Sequence, residues 1–127
     1  ISNVKKIIRS NYSNPPTFGQ NLVTSVLTDN NAKKLWDTEL GYMRKRIKKT
    51  RNQLVELLLN NNVNRDFSHI SLQNGMFSYS GLTKNEVKKL KTDYGIYIVE
   101  SGRICVAAIN EKNIHSIASA LNSVLKS

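Results

Sequence analysis

The sequence predicts a small α+β fold in which short strands follow one long helix. The chain has 127 residues, which suits one compact domain. Apolar residues spaced by three and four across residues 32–59 predict a long amphipathic helix. Beyond residue 60 the apolar and polar residues alternate, as is typical of strands. We therefore expect a small, mostly antiparallel sheet with flanking helices and one long connecting helix.

The first thirty residues predict two short helices separated by a loop. Val4, Ile7 and Ile8 have the spacing of a last helical turn, which suggests a helix that begins earlier in the chain. Two prolines within residues 11–16 predict a fixed, extended loop. Residues 18–27 then predict a helix with one apolar side.

Four short segments predict the sheet. Residues 67–72, 76–80, 96–100 and 103–108 have the pattern of strands, and a turn at Ser101-Gly102 is expected to join the last two.

Two more helices are expected. Thr83 and Glu86 have the spacing of a capping box that opens a helix through about residue 93, and Asn110 is expected to cap the final helix.

Composition excludes several classes of protein. The longest apolar runs fall far short of the roughly 18 residues that a bilayer requires, so we expect no membrane span. Cys105 is the only cysteine, which excludes an intrachain disulfide. His69 and His115 have no partner at metal-ligand spacing, so no metal site is expected.

The formal net charge of +10 leaves a nucleic-acid-binding module open as an alternative. The basic residues concentrate in residues 33–51, around most of the polar circumference of the predicted long helix. A stacking platform for bases would place them on one face beside aromatic residues. A solvated helix face is therefore the favoured interpretation.

Two arginines flank turns that could orient them. Arg9 immediately precedes the proline-containing loop, and Arg103 follows the Ser-Gly turn. Exposed arginines are most often simply solvated. On a stiff segment, however, the backbone already orients the guanidinium for a bidentate hydrogen-bonded contact with a carboxylate.

Three ordered motifs resemble the C-terminal portion of aspartate aminotransferases. They are residues 8–16 (Ile-Arg-Ser-Asn-Tyr-Ser-Asn-Pro-Pro), residues 73–82 (Gln-Asn-Gly-Met-Phe-Ser-Tyr-Ser-Gly-Leu) and residues 101–107 (Ser-Gly-Arg-Ile-Cys-Val-Ala). Trp36 and residues 43–51 are similar to the family's long connecting helix. The resemblance covers essentially the whole chain.

This resemblance implies an enzyme, cytoplasmic or mitochondrial, that uses pyridoxal 5'-phosphate. Such an enzyme transfers the amino group between L-aspartate and 2-oxoglutarate, giving oxaloacetate and L-glutamate, and is a homodimer. The implied partners are dicarboxylic amino and oxo acids, with neither nucleic acid nor membrane. We take the cytoplasm as the expected compartment and leave a mitochondrial location open, because a mitochondrial leader would precede Ile1.

Carried over residue by residue, the resemblance gives roles to five positions. Arg103 is similar to the arginine that binds the substrate α-carboxylate. Arg9 is similar to the arginine that reaches the neighbouring subunit's site and binds the distal carboxylate. Ser13 and Asn14 match neighbours of that second arginine, and Phe77 matches a strand residue beside the substrate pocket.

The family's cofactor lysine, pyridinium-binding aspartate and phosphate-binding residues would all precede Ile1. We therefore expect no catalytic, cofactor-binding or metal-binding residue in this chain, and an inactive isolated chain. The implied organisation is the tail of a large domain with a substrate loop at 1–31, the connecting helix at 32–60 and a small α+β domain at 61–127. An aromatic or broad-specificity aminotransferase and a pure assembly domain remain alternatives.

Overall fold

The computed structural model describes residues 1–13, 16–61 and 65–126. They form two compact units, Ile1–Gly41 and Tyr42–Ser127. The described residues are mostly helical, with a two-stranded antiparallel sheet. The elements in chain order are α1 (Ser2–Tyr12), α2 (Thr17–Thr28), α3 (Asn30–Asn60), α4 (Ser68–Leu72), β1 (Phe77–Tyr79), α5 (Lys84–Tyr94), β2 (Arg103–Cys105), a 3-10 turn (Val106–Ala108) and α6 (Ile114–Lys126).

The first unit contains α1, α2 and the beginning of α3. The helix predicted over residues 18–27 is confirmed as α2, and the long helix is confirmed as α3. Asp29 caps the start of α3, because its Oδ1 accepts a hydrogen bond of 2.7 Å from the Ala32 amide. Neither α1 nor α2 contains a buried residue, so their apolar side chains are open to solvent in this chain.

The second unit encloses the hydrophobic core. The second half of α3 buries one apolar stripe against α4, the strand pair, α5 and α6. The largest fully buried side chains are Phe67, Leu54, Leu58, Ile70, Leu90 and Val106. Burial of such side chains contributes about 1.5–3 kcal/mol each, so this core holds the second unit together.

The strand predicted at residues 67–72 is wrong. These residues form α4, because the Asp66 carboxylate accepts hydrogen bonds from the Ser68 amide and hydroxyl and so starts a helical turn. The bond from the Ser68 amide lowers the pKa of Asp66. Phe67 and Ile70 are both buried. Their spacing of three therefore fits one face of a helix better than the alternation of a strand.

The predicted hairpin of residues 96–100 and 103–108 is also wrong. Residues 96–100 are irregular, although Ile96 and Ile98 pack half-buried against the core. The first residues of 103–108 form β2, and a 3-10 turn follows at once. The four expected strands thus reduce to β1 and β2, which pair with each other.

Hydrogen bonds between Ser80 and Gly102 set the register of this strand pair. Phe77 lies opposite Cys105, and Tyr79 lies opposite Arg103. Beyond the pair, the Gly102 carbonyl accepts hydrogen bonds from the Ser80 amide at 3.0 Å and the Ser80 hydroxyl at 2.6 Å. These bonds direct the turn before β2 towards β1, which explains why residues 96–100 are not its partner.

The predicted capping box is confirmed at the start of α5. Thr83 Oγ1 accepts from the Glu86 amide, and a Glu86 carboxylate oxygen accepts from the Thr83 amide at 2.6 Å. Arg65 forms a two-pronged ion pair with the same carboxylate, at 2.8 and 3.1 Å. Burial raises the pKa of Glu86, but the bonds from Arg65 and Thr83 outweigh it, so the net pKa lies below its usual value.

The final helix begins later than its predicted cap. Asn110 opens a turn instead, in which its Oδ1 accepts from the Lys112 amide while its own amide donates to Asn113 Oδ1. The helix α6 then starts at Ile114. The Asn110 carbonyl still accepts from the Ile114 amide, so this turn leads directly into the helix.

We predict that Gly102→Ala destabilises the chain. Gly102 has a φ of 78°, and a Cβ there would lie 3.0 Å from the Leu82 carbonyl oxygen. Such strain costs about 1–3 kcal/mol, measurable as a lower free energy of unfolding in urea. The matched control is Gly41→Ala in α3, where a Cβ meets nothing within 4 Å. That variant should gain stability, by up to about 1 kcal/mol. Equal stability of the two variants would contradict the strain argument.

Candidate functional site

The exposed face of the strand pair carries an arginine held against an aromatic ring. Side chains alternate across β1 and β2, so Phe77, Tyr79 and Arg103 share one face while Ser78 and Ile104 are buried on the other. The Cζ atom of Arg103 lies 4.6 Å from the centre of the Phe77 ring. The structure therefore brings together two of the predicted site residues.

The stacking leaves the donor edge of Arg103 available. The side chain is exposed, and none of the ion pairs among the described residues involves it. The contact with Phe77 contributes about 0.5–1 kcal/mol at an exposed site. The N–H groups in the plane of that guanidinium can therefore bind a carboxylate through two parallel hydrogen bonds.

Side chains outside the sheet hold the far end of β1 in place. The Gln73 amide group bonds to Tyr79 twice, donating to its carbonyl at 3.1 Å and accepting from its amide at 2.8 Å. His69 Nε2 lies 3.2 Å from the same carbonyl oxygen. The main chain of Tyr79, which lies directly opposite Arg103, is thus held by these side chains on the edge of β1 that faces away from β2.

Two arginines of α3 bind the segments next to the strands. Arg51 donates from Nε to Ser78 Oγ at 3.2 Å and from Nη2 to the Gly75 carbonyl at 2.5 Å. Arg46 donates to the carbonyls of Ala107 and Ile109, at 3.1 and 3.3 Å. Both guanidinium groups thus bond to protein oxygens, and Arg51 is buried while Arg46 is exposed.

Sequence reasoning missed the role of Arg51. It was counted with the solvated basic residues of 33–51, yet it is only 4% exposed. The available signal was its position on the helix. Arg51 precedes Leu54, Val55 and Leu58 by three, four and seven residues, which places it on the core-facing stripe of α3.

The other predicted site residues belong to the first unit. Arg9 lies in the last turn of α1, and its carbonyl accepts a hydrogen bond of 3.0 Å from the Ser13 amide. Both residues are exposed. Ser13 has a φ of 49°, a backbone conformation that residues other than glycine rarely adopt. Asn14 lies outside the described residues.

The described residues contain no group of three or more His, Cys, Asp or Glu side chains that could hold a metal ion. In the same ranges, no helix combines the length and the hydropathy needed to cross a membrane. The free thiol of Cys105 is half-buried on β2.

Comparison with known proteins identifies the family. The family model "Aminotransferase class I and II" matches residues 1–121. The chain belongs to this family. Over 125 residues it is 52% identical to an aspartate aminotransferase of Pseudomonas aeruginosa, covering 98% of this chain and 31% of the relative. It is 39% identical to the aromatic-amino-acid aminotransferase of Escherichia coli, covering 98% of this chain and 32% of that protein.

A solved structure supports the same assignment. The chain is similar to the aromatic-amino-acid aminotransferase of Burkholderia pseudomallei, described as covalently bound to pyridoxal phosphate, with 51% identity and a TM-score of 0.94. The match covers 98% of this chain and 31% of that protein. The chain thus spans about a third of the length of the relatives it matches.

The residues of this chain do not fit the covalent attachment of such a cofactor. A lysine that forms a Schiff base is typically desolvated, in an apolar pocket or beside another cation. Every lysine of this chain has an exposed side chain. No lysine of the chain is therefore enclosed in the way that such a bond requires.

Proposed function

We propose that this chain is the carboxylate-recognition part of an aspartate aminotransferase, carried by a longer polypeptide that we call the full-length enzyme. The reaction transfers the amino group between L-aspartate and 2-oxoglutarate and gives oxaloacetate and L-glutamate. The observation that carries the proposal is the guanidinium of Arg103, stacked on Phe77 with its donor edge open.

Arg103 binds the α-carboxylate of the substrate. Its position suits the task, because it directly follows Gly102, whose φ of 78° is left-handed, and it lies opposite Tyr79 of β1. The Phe77 ring restricts the guanidinium to one plane, so little conformational freedom is lost when the carboxylate binds. The pair of charged hydrogen bonds then orients the substrate.

Arg9 binds the second, distal carboxylate. Its exposed position at the end of α1, with Ser13 bonded to its carbonyl, supports an outward-reaching role. We place this arginine, with Ser13 and Asn14, in the site of the neighbouring subunit of a homodimer. Two arginines for two carboxylates account for a preference for dicarboxylates, since a monocarboxylate would leave one desolvated guanidinium unpaired.

The covalent chemistry belongs to residues outside this chain. When bound, pyridoxal 5'-phosphate supplies an electron sink for the carbanion that forms at the substrate α-carbon. This chain contributes recognition and orientation. We assign residues 1–31 to the tail of the large domain with the substrate loop, 32–60 to the connecting helix and 61–127 to the small domain.

An aromatic-amino-acid aminotransferase is the second candidate. The chain is 51% identical to a protein of that name from Burkholderia pseudomallei, against 52% for the aspartate aminotransferase. The face that carries Arg103 also presents Phe77 and Tyr79, which are 42% and 58% exposed. Such rings could contact an aromatic substrate side chain.

We predict that the isolated chain does not bind pyridoxal 5'-phosphate through a lysine, because every lysine is exposed. Titration of the chain with the cofactor should give no saturable aldimine absorbance band, and no turnover of aspartate with 2-oxoglutarate. A saturable band accompanied by turnover would place the catalytic lysine within these 127 residues and overturn this part of the proposal.

We predict that Arg103→Ala in the full-length enzyme lowers kcat/KM for aspartate by a factor of tens to thousands. Removing one partner of a buried charge pair costs about 2–5 kcal/mol, and each 1.36 kcal/mol corresponds to about a tenfold change in rate. The matched control is Arg44→Ala, which removes an exposed arginine of α3. Equal rates for the two variants would contradict the role of Arg103.

We predict that Arg9→Ala in the same enzyme acts selectively. The value of kcat/KM for aspartate should fall at least about tenfold, whereas that for phenylalanine, a monocarboxylate, should change far less. Steady-state kinetics with both substrates measures the ratio. A parallel loss on both substrates would remove Arg9 from recognition of the distal carboxylate.

A further inference from the structure

The buried arginine of α3 has no carboxylate partner among the residues that the structure describes. Arg51 is 4% exposed, and its hydrogen bonds go to two neutral oxygens, Ser78 Oγ and the Gly75 carbonyl. None of the ion pairs in the described ranges includes it. Arg65, by contrast, meets the Glu86 carboxylate at 2.8 Å.

A buried charge without a counter-ion is costly, because the guanidinium gives up its hydration for neutral acceptors. An apolar side chain would fill the same site on α3 without that cost. Packing of α3 against the core therefore does not by itself account for an arginine at position 51. Both of them end on the segment that leads into and forms β1.

The two acceptors lie on either side of Phe77 in the sequence. Gly75 precedes Phe77 by two residues and Ser78 follows it by one. Ser78 is buried, so Arg51 approaches β1 from the core side, while Phe77 contacts Arg103 on the opposite side. Arg51 thus fixes the main chain directly behind the ring on which the Arg103 guanidinium rests.

This fixation matters because the sheet is small. Two strands of three residues each form an isolated pair, and such a pair is marginally stable in water on its own. Its geometry therefore depends on contacts from outside. At the start of β1 those contacts come from Arg51, and at its end they come from Gln73.

We propose that Arg51 is a positioning residue for the substrate α-carboxylate. It acts through β1 and Phe77 on the guanidinium of Arg103 and does not touch the substrate. This inference rests on the proposed function of Arg103. Loss of Arg51 lets β1 shift, and a guanidinium that is displaced with it binds the carboxylate less tightly, because binding depends on the orientation of the two groups.

The test uses the full-length enzyme with two substitutions at Arg51 and one control. Arg51→Met removes both hydrogen bonds at similar volume, and Arg51→Lys can retain one of them. Arg65→Met is the matched control, since it removes another partly buried arginine of the same unit that bonds to Glu86 and to the Gly81 carbonyl. The readouts are KM and kcat for aspartate, the Kd for succinate by calorimetry, and Tm.

For Arg51→Met we expect KM for aspartate and Kd for succinate to rise about tenfold, with kcat within about threefold of the parent enzyme. Arg51→Lys should recover part of both losses. Arg65→Met should lower Tm by a similar amount and leave KM and Kd unchanged. The proposal is overturned if Arg51→Met leaves KM and Kd unchanged, or if both arginine-to-methionine variants raise them equally, because then only stability is affected.

A double-mutant cycle tests whether the effect passes through Phe77, and it relies on variants milder than Arg51→Met. Arg51→Lys and Ser78→Ala should each raise Kd for succinate severalfold in the parent enzyme. They should have little effect in a Phe77→Leu background, since coupled residues give non-additive changes. Additive effects would overturn the proposal. If Arg103→Ala itself leaves succinate binding unchanged, the proposed function fails, independently of these results.

Discussion

The hydrogen bonds from Ser80 to the Gly102 carbonyl are the constraint on which the proposed site depends. They lock the turn before β2 onto β1, and the register that follows places Arg103 opposite Tyr79 and beside Phe77. A slip of one residue would turn the guanidinium towards the core. Three residue pairs alone do not secure a register against such a slip. The left-handed conformation of Gly102 and the burial of Ser80 therefore set the position of Arg103, on which the proposed recognition of the substrate depends.

The long helix α3 gives this small sheet a rigid support. Its second half buries leucines in the core, and the same helix carries Arg46 and Arg51, whose guanidinium groups bind the segments that flank the strands. The basic residues of 33–51 thus divide into two kinds. Most, such as Lys48, are solvated, whereas these two arginines connect helix and strands. The net charge of +10 therefore does not by itself describe a surface for nucleic acid.

Local patterns predicted α2, α3, α5 and the segments that contain β1 and β2, but they missed α4 and placed strands wrongly at residues 67–72 and 96–100, for a physical reason. The capping box of Thr83 and Glu86 and the apolar spacing in α3 depend on residues close in sequence, so they could be read directly. Residues 96–100 form a short apolar run whose structure depends on distant partners, whereas the Asp66–Ser68 hydrogen bonds that start α4 are local and the alternation of residues 67–72 concealed them. Gly102 pairs with Ser80, which no local pattern indicates. The assignments to Arg103 and Phe77 came from the resemblance; the structure adds that the two side chains are stacked.

Recognition and covalent chemistry are carried by different parts of the proposed enzyme. The chain provides cationic groups for carboxylates, while its lysines are all exposed. Substrate preference can therefore change through side chains on the strand face, such as Tyr79, without disturbing the group that forms the bond to the substrate. The chain is about equally identical to a protein named for aspartate, at 52%, and to one named for aromatic amino acids, at 51%. Since both classes of substrate carry an α-carboxylate, the role that we propose for Arg103 is compatible with either one.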